Sequence, residues 1–253
     1  MNILLTNDDG IDSLGLLQFA EELSKIGDVY VCAPEGERSS NSHHLMIHGT
    51  LRFEERKVPF AKKAYALWGT PADCTHVGIE LLYQDKIDLV VSGINRGANI
   101  STDIIYSGTV AAAREAYILG VPGMAVSLAD FHPQSFVAAA KVGTMMAKRF
   151  FEADDKYSYI LNVNIPNIPE NEIKGYMICD HLAQIHYKDV LTVREEDGKH
   201  YIDIVSGGRE VTCDPEDLRT DLVAVDHGYV SLSALHDDHF RKDPQEYLKK
   251  LIK

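Results

Sequence analysis

The chain opens on an uninterrupted apolar run, Ile3 to Leu5 followed by Thr6, which predicts a strand buried on both faces. Leu16, Phe19, Ala20, Leu23 and Ile26 then recur at helical spacing, and Val29 to Ala33 supplies a second strand, so this stretch reads as a βαβ unit. "YALWGTPADCTHVGIELL" passes from strand to helix at Thr70, where an N-cap residue, Pro71 at the first helical position and Asp73 in the first turn coincide. "KIDLVVSGIN" predicts the next strand and "SGTVAAAREAYILG" the next helix. "GMAVSL" predicts another strand, a long helix runs from about Phe136 to Phe151, and "YSYILNVNIP" closes the series. Continuous apolar strands separated by amphipathic helices predict an α/β fold with a doubly wound, mostly parallel sheet.

After about Pro166 the pattern changes to alternating strand-like pieces such as "IDIVSGG" and "GYVSLSAL", many turn residues, and a short polar helix near Pro244 to Lys253. We therefore expect residues 1–165 to form the core and residues 166–253 a β-rich extension, too open to fold alone, that packs on the sheet or on a neighbouring subunit. "HDDHF", His236 to Phe240, falls in that extension as a polar loop or subunit contact.

Composition narrows the partners. A hydrophobic fraction of 45% over 253 residues is ordinary for a globular protein, and a net charge of -13 argues against nucleic-acid polymers, whose backbones need clustered Lys and Arg. A small anion remains acceptable where a metal or local cations reverse the field. Cys32, Cys74, Cys179 and Cys213 form no CxxC pair and read as reduced thiols. No stretch is apolar for long enough to cross a bilayer and no basic leader precedes the first strand, so no membrane role and a cytoplasmic location are expected.

In open α/β sheets ligands bind beyond the carboxyl ends of the strands. Three polar loops fall there: "TNDDGID", "APEGERSSNSHH" and "SGINRGANISTDIIYSGT". Asp8 and Asp9 would point to opposite faces of an extended chain, so both serve one site only if the backbone turns, which Gly10 permits. With Asn95 and the Ser39/Ser40 pair they make a set of hard oxygen donors suited to Mg, Mn or Ca far better than to zinc or copper. "YSGTVAAARE" offers unpaired N–H groups, the hydroxyls of Ser107 and Thr109, and Gly108 for close approach of an anion, with Arg96 and Asn99 from the preceding loop available to phosphate oxygens. His43, His44 and His48 fit no standard zinc spacing, and a strand would send His43 and His44 to opposite faces, so a structural role is favoured, with contact to substrate as the alternative.

These motifs, in this order ("ILLTNDDGI", "APEGERSSNS", "GTPADC", "VSGINRGAN" and "YSGTVAAARE"), resemble the SurE family of stationary-phase survival proteins, densely over residues 1 to about 130 and more loosely to "GYVSLSAL". The resemblance implies a Rossmann-like core, an extension exchanged between subunits of a homodimer or homotetramer, and a metal-dependent 5'(3')-nucleotidase. It also implies that the divalent metal is held by Asp8, Asp9, Ser39 and Asn95, choosing Ser39 over Ser40, and that phosphate meets Asn99, Ser107, Gly108 and Thr109.

The reaction expected is hydrolysis of a nucleoside monophosphate to nucleoside and phosphate, with Asp8 and Asp9 as catalytic acids that hold the metal and orient water. Because the two acids are adjacent, not separated by one residue, activated water is favoured over an aspartyl-phosphate. A metal-dependent glycosyltransferase is the rival enzyme and requires an acceptor for turnover. A non-catalytic nucleotide sensor is the rival from another class.

Overall fold

The structure, a computed structural model, describes residues 1–83 and 86–236. Asp237 to Phe240 and the helix expected near Pro244 lie outside the described residues. The strands are β1 (Asn2–Thr6), β2 (Asp28–Pro34), β3 (Phe53–Arg56), β4 (Ala61–Leu67), β5 (Leu89–Arg96), β6 (Gly123–Ala129), β7 (Ile160–Pro166), β8 (Tyr176–Ile178), β9 (Gln184–Glu196), β10 (Lys199–Thr212) and β11 (Val230–Leu235). The helices are α1 (Leu14–Leu23), α2 (Pro71–Val77), α3 (Gly108–Ile118), α4 (Val137–Glu152) and α5 (Asp221–Asp226).

Among the described residues nine strands form one sheet in the order β3-β4-β2-β1-β5-β6-β7-β11-β8. Its centre, from β4 to β7, is parallel, while β3 and β11 run antiparallel to β4 and β7. The α/β, mostly parallel, doubly wound architecture read from the apolar pattern is the one present. Along β1 the alternation sorts side chains to two cores: Ile3 and Leu5 join α1 and α4 through Phe19, Leu23 and Phe150, whereas Leu4 joins Cys74 of α2 and Ala116 of α3 on the other face. Each fully buried Phe or Leu contributes roughly 1.5–3 kcal/mol, so each face is anchored by several such residues.

Local signals fix the element ends. Thr70 and Asp73 form a reciprocal capping box, with Pro71 at the start of α2, so α2 begins where the sequence predicts. Ser13 and Ser107 cap α1 and α3 with one bond each, their hydroxyls accepting from Leu16 N–H and Val110 N–H. Strand order matters most for the site. The chain leaves β1 in one direction to β2 and later returns to the other side of β1 through β5, so the crevice beyond β1 and β5 is the topological switch point.

The region after Pro166 divides its strands. β8 and β11 extend the main sheet, whereas among the described residues β9 and β10 pair only with each other as a long hairpin closed by Asp197 and Gly198, both with positive φ. On one face of that hairpin Val193 pairs with Ile202 and Leu191 with Ile204, and all four are between 63% and 73% exposed.

Candidate functional site

The site begins with a turn at the end of β1. The Asn7 side chain grips its own loop: its Nδ2 donates to Gly10 O at 2.9 Å and its Oδ1 accepts from Gly10 N–H at 3.2 Å. Gly10 has φ +100, and a Cβ there would lie 3.1 Å from the backbone of Gly36. The turn brings Asp8 and Asp9 to one cleft of about 970 Å³, shared with Glu37, Ser39, Ser40, Asn95, Arg96, Asn99 and Ser107. All three polar loops therefore open on the same side of the sheet.

Asp8 is 5% exposed and its Oδ1 accepts from the Thr109 hydroxyl at 2.6 Å. Burial pushes its carboxyl up to about 6, against the Thr109 hydrogen bond that lowers it and with the adjacent Asp9 charge adding to the rise. Gly108 is what lets α3 start here, because a Cβ would stand 3.0 Å from Asp8 Cβ and 3.1 Å from Asp8 Oδ2. Thr109 is fully buried, and neither it nor Gly108 lines the cleft; both stand behind Asp8.

Asp9 meets a cation from the chain itself. Arg96 Nε donates to Asp9 Oδ1 at 3.0 Å, Arg96 N–H to Oδ2 at 3.2 Å, and the same guanidinium reaches Glu37 at 3.0 Å. Burial still holds the Asp9 carboxyl above its ordinary value, with Arg96 pulling the other way. Arg96, expected at phosphate oxygens, is thus engaged with two carboxylates. Ser39 donates its hydroxyl to Glu37 at 2.8 Å, which leaves its oxygen lone pairs available. Asn95 Nδ2 donates to Gly97 O at 2.9 Å, which leaves Oδ1 as the acceptor that remains to it.

This donor set fits a hard divalent cation. Among the described residues no cation pairs with the buried Asp8 carboxylate, and Ser39 and Asn95 keep oxygen acceptors at the same cleft. Among the described residues no three His, Cys, Asp or Glu side chains converge as a metal centre, so a cation here depends on the neutral oxygens of Ser39 and Asn95.

Asn99 is held on three sides: its N–H donates to Asn164 Oδ1 at 2.7 Å, its Nδ2 to Ser127 Oγ at 2.8 Å, and its carbonyl accepts from Asn162 at 2.9 Å. The histidine cluster of the sequence separates. His43 leaves the cleft and, with His76, contacts Glu115 of α3, at 2.9 and 2.8 Å. His44 and His48 do not line the cleft either.

Some cleft residues escape a strand-end reading. Phe131 and His132 follow β6, and Ile185, His186, Tyr187 and Asp189 come from β9, far along the chain. Tyr187 donates to Asp103 at 2.7 Å and ties the hairpin to the rim. The signal for the hairpin was present as Asp197-Gly198 between alternating strand residues.

Comparison with known proteins bears on the whole chain. The family described as survival protein SurE matches residues 3–188. A "5'-nucleotidase SurE" from Clostridium botulinum (strain Alaska E43 / Type E3) is 41% identical over 256 residues, covering all of both chains, and another from strain ATCC 19397 / Type A is 41% identical over 94% of each. The crystal structure of the SurE protein from Aquifex aeolicus superposes with a TM-score of 0.83 at 35% identity over the full length of both chains. A switch-point cleft entered by two adjacent aspartates, a family match over most of the sequence and full-length structural likeness lead to one conclusion: the chain belongs to the survival protein SurE family.

Proposed function

We propose that the protein is a divalent-metal-dependent 5'(3')-nucleotidase, a phosphoric monoester hydrolase that converts nucleoside monophosphates to nucleoside and phosphate. The observation that carries this reading is the pairing, at one switch-point cleft, of buried Asp8 and half-buried Asp9 with neutral oxygen donors and with the start of α3. The names of the full-length relatives, 5'-nucleotidases, support it.

Asp8, Asp9, Ser39 and Asn95 would hold the metal, Mg or Mn with Ca also suited to oxygen donors. When bound, such a cation supplies positive charge against phosphate oxygens and acidifies water. The chain's own residues do the rest. Thr109 fixes the rotamer of Asp8 from behind, and Gly108 leaves the space that the carboxylate needs. Ser107 and Asn99, both at the cleft, present a hydroxyl and an amide to the phosphoryl group. Arg96 keeps Asp9 and Glu37 in place, and a guanidinium this close to the cleft can transfer a hydrogen bond to phosphate when the anion arrives. Asp8 or Asp9 accepts from and orients the attacking water.

The protein is further proposed to act as a homodimer or homotetramer in the cytoplasm. An isolated two-stranded hairpin is marginal in water, and β9–β10 carries an apolar ladder that is exposed among the described residues. The four cysteines are free thiols, which suits a reducing compartment. Among the described residues no helix is long and apolar enough to cross a membrane.

The test is phosphate release from a panel of nucleoside monophosphates with Mn or Mg, against an EDTA control and with no acceptor but water. Release in the metal lanes, lost in EDTA and in Asp9→Asn, is expected. Silence in every lane removes the reading, and turnover only on addition of a sugar acceptor replaces it with a transferase.

A further inference from the structure

The loop that carries Asn99 and Ser107 is held by a residue more than a hundred positions away. Ser101 sits between them at φ +53, the only residue from 99 to 107 in the left-handed region. A non-glycine residue is strained there, so something must hold it. That partner is Asp221, the first residue of α5, which is fully buried. Its Oδ2 accepts from Ser101 N–H at 2.6 Å and its Oδ1 from the Ser101 hydroxyl at 2.5 Å, while Leu222 N–H adds a third donor at 2.8 Å. Ser101 Oγ in turn accepts from Ala183 N–H at 3.0 Å. Ile100 packs with Ile185 and Leu222 beside this contact.

The consequences run in both directions along the loop. Upstream, Asn99 is docked on Asn162 and Asn164 of β7, so its peptide is fixed by the sheet. Downstream, the segment Ser101–Ile105 turns as a short 3-10 helix and delivers Ser107 to the start of α3. Asp221 sets the point where the first direction hands over to the second. An ordinary surface turn does not need a buried carboxylate with three donors, which is costly unless the geometry is tightly satisfied.

We propose that Asp221 is a positioning residue for the candidate active site: by locking Ser101 it sets the spacing of Asn99 and Ser107 across the phosphoryl group. The extension after Pro166 thereby builds the site, in addition to any part it has in assembly. This rests on the nucleotidase reading for its functional half, and on geometry alone for its structural half.

The two halves are tested together on the full chain with Mn present. Asp221→Asn replaces one acceptor oxygen with an N–H that opposes the Ser101 donors. It is expected to raise KM for adenosine 5'-monophosphate and Ki for inorganic phosphate on the order of tenfold, with a smaller change in kcat, because misplacing a contact by about 1 Å has effects of this size or larger. Ser101→Ala keeps the backbone N–H and should give a smaller rise in the same constants. The double variant should match Asp221→Asn alone, since both changes break one contact. Amide exchange over residues 99–107 should quicken in both single variants. A lower melting temperature with KM, Ki and exchange unchanged, or effects that simply multiply in the double variant, overturns the proposal. If Asp221→Asn does not fold, Ser101→Ala decides by the same two readouts. If the unaltered protein releases no phosphate, the nucleotidase reading fails separately, and exchange over residues 99–107 alone decides whether Asp221 holds the loop.

Discussion

Asp8 shows how a residue suited to chemistry works against stability. Its carboxyl is raised from 3.8 to about 6, so the folded state binds that proton more tightly than the unfolded chain does. Stability from this group therefore falls as pH rises from about 4 to about 6, and above that the ionised carboxylate penalises the fold by up to about 3 kcal/mol without metal. Asp8→Asn should accordingly melt higher than the unaltered protein in EDTA at pH 7.5, the gap closing toward pH 4, while phosphate release drops at least a hundredfold. Calorimetry across that pH range checks the first part and a release assay the second. Gly108→Ala is the complementary change: the added methyl meets Asp8 and Pro71 at 3.0–3.1 Å. We expect a loss of about 1–3 kcal/mol by overpacking, with kcat reduced at least tenfold, read from denaturant melts and initial rates.

At the scale of elements, the loop between β2 and β3 is pinned through Glu115. Burial alone would raise that carboxyl, but the hydrogen bonds from His43 and His76 outweigh it and hold it below its ordinary value. Thr70 and Asp73 add two more ties, to His44 O and Met46 N–H at 2.5 and 2.7 Å. A depressed carboxyl contributes stability above its unfolded value of 4.5, and that contribution disappears as pH falls through the folded value. Glu115→Gln should cost about 1–3 kcal/mol near neutral pH, with the difference shrinking on acidification, and should speed proteolysis of the loop that carries Ser39. Urea melts at several pH values and a timed digest measure both. Most elements of the first 166 residues were legible because period and punctuation agree: the capping box at Thr70 and the apolar β1 each point one way. The short β3, the exposed β9 and the six-residue α5 were not, since β9 is almost wholly exposed and offers almost no buried face to betray it. The placement of Asp8 and Asp9 in one cleft followed from Gly10, a local argument. That Arg96 would turn to Asp9 and Glu37 did not follow, because a long side chain chooses among anions that only the folded chain assembles.

For the whole molecule, the hairpin sets the expectation. Val193 and Ile202 form a cross-strand apolar pair at the most exposed part of the ladder. Replacing both with Asp should leave the main sheet folded by circular dichroism but lower the mass found by light scattering toward the single chain. A mass already equal to one chain in the unaltered protein would remove the oligomer from the proposal. The base of the same hairpin supplies Ile185, His186, Tyr187 and Asp189 to the cleft wall. Under the proposed association, assembly and nucleotide affinity would share one free energy: whatever factor the ligand contributed to holding two chains together, a second chain would return to the ligand. Dilution should therefore weaken apparent affinity before it unfolds anything, and specific activity should depend on protein concentration.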